Sequence, residues 1–166
     1  NNTVELNEND GFNYHNLSNS NYKIKKFNTF DEIPLSNVGF QFFNYDGKFP
    51  YNNNDIPSIH NKITNLECCF YNNKNFNQNI TSWNIGNITN MNKMFEDCIK
   101  FNQNISNWVI EKVSTMENML DNTKLSVINL SLIHISEPTR RTPISYAVFC
   151  LKKQRAKRKG AYEANK

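Results

Sequence analysis

The sequence predicts an α/β repeat fold: a solenoid of 25-residue coils, each a short strand, a loop and a helix of one or two turns. Three observations predict it. The stretch "FNQNITSWNIGNITNMNKMF" (Phe76 to Phe95) returns without a gap as "FNQNISNWVIEKVSTMENML" (Phe101 to Leu120), and nine of the twenty positions are identical. The apolar residues recur with that period. The 31 asparagines among residues 1–129 are interleaved with Phe, Ile, Met and Trp at fixed intervals, which suits a packed chain better than a disordered Asn-rich tract. A period of this length marks one supersecondary unit stacked on its neighbours, because a single unit cannot bury its own apolar face.

Taken in order, residues 1–60 read as an irregular N-terminal segment, a cap or a degenerate repeat. It is a polar stretch with a first apolar cluster at Phe27, Phe30 and Ile33, and "SNVGFQFF" (Ser36 to Phe43) has the look of a worn copy. Residues 61–75 form a partial copy, since "NKITNLECCF" (Asn61 to Phe70) aligns with "GNITNMNKMF" (Gly86 to Phe95). Two full copies follow, 76–100 and 101–125.

Within the unit, Ile80, Trp83 and Ile85 suit a strand, as β-branched and aromatic residues do. Ile88, Met91, Met94 and Phe95 fall at i, i+3, i+6 and i+7, the spacing of one helix face, with Thr89 or Asn90 as its N-cap. The expected repeat core is therefore Ile63, Leu66, Phe70, Phe76, Ile80, Trp83, Ile85, Ile88, Met91, Met94, Phe95, Phe101, Ile105, Trp108, Ile110, Val113, Met116, Met119 and Leu120. Asn-Gln-Asn at 77–79 and 102–104 can bridge backbone groups between coils, because carboxamides both donate and accept.

These residues resemble the 25-residue repeat of BspA-like leucine-rich-repeat surface proteins, common in mycoplasma-type surface lipoproteins. The pattern lies on Phe76, Asn77, Gln78, Trp83, Ile88 to Met91, Met94, Phe95 and Cys98, and departs from the family at Val109, Thr115 and Leu120. The resemblance covers about residues 61–129. It implies a leucine-rich-repeat-like solenoid at the cell surface, extracellular, serving adhesion or recognition of a protein or glycan. It implies no catalytic residue and no cofactor, and membrane attachment only through an anchor outside this stretch. A structural spacer or coat repeat with no ligand of its own is the alternative. A binding face should show non-core aromatics that vary between copies; Tyr71, aligned with Glu96 and Asp121, has that character.

Charge divides the chain. Residues 1–129 hold ten Lys, no Arg and thirteen Asp+Glu, a net −3, and contain no Ala; residues 130–166 hold nine Lys+Arg and two Glu, a net +7. The acidic body offers nucleic acid no counter-charge, and its residue choice points to an AT-rich genome. The basic tail reads differently. "LSLIHISEPTR" (Leu130 to Arg140) is the direct translation of a transposase-type sequencing adapter. Arg141, Thr142 and Pro143 stand where that adapter carries its barcode, and "ISYAVFCL" (Ile144 to Leu151) translates its remainder, nineteen matching residues in one frame. The tail is thus expected to be non-native and unstructured, with the array broken off near Asn129. The start at Asn1, with neither Met nor signal peptide, reads as a piece of a longer protein.

Chemistry-bearing groups are sparse. His15, His60 and His134 are scattered, no nucleophile–base set or phosphate-cradling glycine loop is present, and the adjacent Cys68–Cys69 lack metal-ligand spacing. The cysteines are expected to be small buried hydrophobes, and the protein is not expected to be an enzyme. Pairing of Cys98 stays open at this stage.

Overall fold

The computed structural model describes Lys26, Phe30, residues 35–126 and Asn129. The expectations for the remainder of 1–34, and for the adapter-like tail, lie outside these residues.

Residues 35–126 form neither helix nor strand; turns, bends and isolated bridges make up the chain path. The coils stack in parallel, and a single hydrogen-bond rule carries the stacking. The amides of Leu66, Cys68, Phe70 and Asn72 donate to the carbonyls of Asn90, Asn92, Met94 and Glu96 in the next coil. Met91, Lys93, Phe95 and Asp97 donate in the same way to Thr115, Glu117, Met119 and Asp121, all at 2.7 to 2.9 Å. The intervening amides stay within their own coil: Cys69, Tyr71 and Asn73 donate three residues back, to Leu66, Cys68 and Phe70. Every N–H from 68 to 73 thus has a backbone partner, so this irregular path costs no orphaned amide. The parallel bridges Asn65–Asn90–Thr115 mark where the ladder begins.

The expected helix over Ile88–Phe95 is therefore replaced by linked turns. The reason lies in the backbone: Cys68, Asn72, Lys93, Asp97, Asn118 and Asn122 have φ between +52° and +63°. A left-handed residue at every fourth position reverses the winding and forbids an α-helix. Asn and Asp bear that conformation better than other side-chain-bearing residues, and they hold four of these six places. Asn90 does not cap a helix; its Oδ1 accepts from the Asn92 amide, closing an Asx turn. The expected strand over Ile80–Ile85 is likewise absent, replaced by turns closed by Trp83 N–H to Ile80 O and Ile88 N–H to Ile85 O.

A 28-residue step precedes the 25-residue ones. Phe40, Phe42 and Asn44 donate to Glu67, Cys69 and Tyr71, again with alternate amides turned inward to Phe40 and Phe42. Positive φ at Phe40 and Asn44 continues the pattern. Gly39, at φ +76°, lies so close to the next coil that a Cβ there would meet Glu67 O at 2.8 Å. Only glycine fits without a shift.

The core runs along the stack axis as aromatic columns. Phe42, Phe70 and Phe95 stack with nearly parallel planes, centroids 5.2 and 5.7 Å apart. Phe76 and Phe101 form a second column that stacks on the first at 3.9 and 4.1 Å. Offset-stacked rings at such separations add attraction beyond their burial. All nineteen residues of the expected repeat core are buried.

Candidate recognition surface

The core and the joints between coils set which positions of the turn run face outward. In the turn run, Leu66, Cys69 and Phe70 point inward, as do Met91, Met94 and Phe95, and Met116, Met119 and Leu120. The next inward position is a plug: Asn73 Nδ2 donates to Phe42 O at 2.6 Å, and its equivalent Cys98 donates through Sγ to Phe70 O at 2.9 Å. The tryptophans belong to the core. Trp83 Nε1 donates to Pro57 O at 3.0 Å and Trp108 Nε1 to Ile80 O at 3.4 Å.

Asparagine forms the joints between coils. Asn72 Nδ2 reaches Asn44 Oδ1, and Asn122 Nδ2 reaches Asp97 Oδ1. Gln78 Nε2 spans the carbonyls of Pro50, Asn52 and Asp55, while Gln103 Nε2 bonds both Asn77 O and its Oδ1. The buried thiols are inert. Burial, with help from the Glu67 carboxylate, pushes Cys68 up to about 11, and burial holds Cys69 and Cys98 far above the usual thiol range. Cys68, Cys69 and Cys98 are all free, so Cys98 is unpaired by disulfide.

Two partly exposed rows change from coil to coil: Glu67/Asn92/Glu117 and Tyr71/Glu96/Asp121; between them Cys68 is buried where Lys93 is exposed. At the first step Tyr71 stacks on Phe43 at 5.0 Å and 14°, and Phe40 packs edge-on against Phe43 at 5.4 Å. The three rings are half-buried. From there the strip turns acidic. Across the three turn runs 66–72, 91–97 and 116–122, Glu67, Glu96, Asp97, Glu117 and Asp121 face a single cation, Lys93. Of these acids Glu117 is exposed and the others half-buried.

Tyr71 stands out in the sequence because its aligned partners are acidic. Phe40 and Phe43 are hidden from that comparison, since the 28-residue first step puts them out of register with a 25-residue repeat. A scan for positive-φ positions ahead of the array would be needed to find them, and sequence shows that only weakly. No group of three or more His, Cys, Asp or Glu among the described residues could hold a metal ion, and no described helix is long and apolar enough to cross a membrane.

Stacked coils that repeat every 25 residues and vary on one exposed strip define a repeat protein with a fixed framework. The chain belongs to the family described as Mycoplasma protein of unknown function, DUF285, whose model matches residues 40–144. No curated protein and no solved structure matches it.

Proposed function

We propose that the chain is part of a cell-surface repeat protein, a leucine-rich-repeat-like solenoid that mediates adhesion or protein or glycan recognition through the outward strip. It acts outside the cell, uses no cofactor and catalyses no reaction. Its partner is an extracellular protein or glycan rather than nucleic acid. The observation that carries the reading is that the apolar core rows stay buried in each coil while the outward row Tyr71/Glu96/Asp121 moves from aromatic to acidic. The family's Mycoplasma assignment is consistent with a surface protein.

The test is saturable binding of the chain to immobilised extracellular-matrix proteins and to a panel of surface glycans. Substitutions in the strip should weaken it and substitutions elsewhere on the surface should not. Absence of binding across both panels would favour the spacer.

Residues 130–166 are part of the proposal as adapter-derived sequence. The nineteen-residue match in one frame and the abrupt arrival of arginine at Arg140 support this, while the family match runs to residue 144. A second, independent read of the coding DNA over codons 129–153 decides it: retention of the tail would overturn this part and leave the recognition reading intact.

A further inference from the structure

The alternating ladder of the turn runs has a direction. Its amides donate toward the C-terminal coil, and its carbonyls accept from the coil before. A stack built this way has two unlike ends, one presenting donors and the other acceptors.

At the donor end, Met116 and Asn118 continue the rows of Leu66/Met91 and Cys68/Lys93. Those four counterparts each donate to the next coil at 2.7 to 2.9 Å. Among the described residues the amides of Met116 and Asn118 have no acceptor. Met116 is buried, and a shielded N–H without a partner costs about as much as a lost hydrogen bond.

At the acceptor end, the carbonyls of Asn37 and Gln41 have no donor among the described residues. Their counterparts do: Asn90 O and Thr115 O in the first row, and Cys69 O, Met94 O and Met119 O in the second, each accept from the preceding coil. Val38 marks the same end. Leu66, Met91 and Met116, in its row, are 0, 0 and 4% exposed, whereas Val38 is 62% exposed. A core row is thus shut within the stack and open to water at its head.

We infer that these two ends are the halves of one interface, and that the occupant of each is a second copy of this chain stacked head to tail. Met116 of one copy donates to Asn37 O of the next, repeating the bond from Met91 to Thr115. Asn118 donates to Gly39 O, repeating the bond from Lys93 to Glu117; a carbonyl has two lone pairs, so an existing partner of Gly39 is no obstacle. Val38 extends its row past Met116 and leaves water, which adds apolar burial. The interface is heterologous and does not close, so association continues into short filaments. It is independent of the recognition reading and survives or falls apart from it.

The test is sedimentation velocity of the full chain from micromolar to millimolar concentration. Moderate salt screens attraction between the acidic body and basic residues 130–166. Species larger than the monomer should grow with concentration, and amide hydrogen exchange at Met116 and Asn118 should slow in step. Val38→Glu alters an exposed side chain, so the monomer should melt as before, but it places a charge in the interface and should raise the Kd about tenfold or more. Ile99→Glu removes an exposed apolar group from a middle coil and should change nothing. Labelled Val38→Glu protein keeps its donor end, so it should co-sediment with unmodified chain and shorten its filaments.

A chain that stays monomeric throughout would overturn the inference. So would association without protection at Met116 and Asn118, or equal loss from both glutamate substitutions. Exclusion of the labelled variant from the filaments would also overturn it, because a symmetric contact between two acceptor ends predicts that result.

Discussion

The first step of the stack and the two that follow it obey the same hydrogen-bond rule at different chain lengths. From Phe40 to Glu67 the amide reaches 27 residues ahead, and from Lys93 to Glu117 it reaches 24. Three extra residues are absorbed without disturbing the alternating ladder of the turn run, although single inter-coil bonds such as Asn79 N–H to Asn53 O lie outside it. The surplus lies on the far side of the coil, between Tyr45 and Ile63. There Gln78 Nε2 gathers the carbonyls of Pro50, Asn52 and Asp55, where its equivalent Gln103 needs only Asn77. The alternating ladder of the turn run is the part of the framework that keeps the same rule across both step lengths. Loops that lie outside a ladder tolerate insertion at small entropic cost.

The comparison can be broken most severely where both kinds of step share a side chain. Phe70 stacks on Phe42 of the long step and on Phe95 of the short one. Phe70→Ala should cost about 3–5 kcal/mol, the loss of a buried ring plus the cavity left behind, read by urea denaturation. Phe95→Leu should cost far less, near 1 kcal/mol for a roughly volume-conserving apolar change, since Leu120 already fills that column in the third coil. If the two losses are equal, the column is not a shared element.

A smaller effect isolates the long step. Gly39→Ala places a methyl 2.8 Å from Glu67 O at a positive φ, and should cost about 1–3 kcal/mol of backbone strain. Short-step contacts such as Phe95–Phe101 should keep their hydrogen-exchange protection, and uniform loss of protection would show that the steps do not act separately.

The tryptophans sharpen the difference further. Trp83→Phe removes the donor to Pro57 O and should cost about 1–2 kcal/mol for the carbonyl left unpaired in the core. Trp108→Phe should cost less, because its bond to Ile80 O is longer. Parallel thermal melts of the two variants compare them.

The weakest effect is titration. The Cys68 thiol is raised to about 11 by burial and by Glu67, whereas an unfolded thiol ionises near 8.5. Between those values the unfolded chain binds fewer protons than the folded one, so stability is full below the unfolded value. It then falls as pH rises through the folded one. Denaturation midpoints measured from pH 7 to 11 should decline in that window, with the more deeply buried Cys69 and Cys98 contributing in the same direction, and Cys68→Ser should make the decline shallower.

How much of this the sequence carries depends on the feature. The period, the copy boundaries and the core rows are legible in it, because burial selects apolar residues at each repeat and the eye can follow them. The helix and strand are not. Ile88, Met91, Met94 and Phe95 fit a helix face, and they fit equally a run of linked turns in which 88, 91, 94 and 95 face inward. Apolar spacing reports which residues are inside and is silent on the handedness of the backbone between them. The presence of Asn72, Asp97 and Asn122 at the 25-residue period, with Asn118 four before Asn122, is the one hint available, and in a chain this rich in asparagine it is easily lost.

The sequence by itself determined that the chain repeats, which side chains are buried and where the arginine-bearing tail begins. Tertiary structure alone decided that the coils are joined by alternate amides rather than by strands and helices, that the worn copy at Ser36–Phe43 stands 28 rather than 25 residues ahead of the array, and that Phe43 lies on Tyr71. The physical reason is that each of these depends on which backbone group a given amide reaches. That partner sits a whole coil away, where neither local propensity nor a fixed period can locate it.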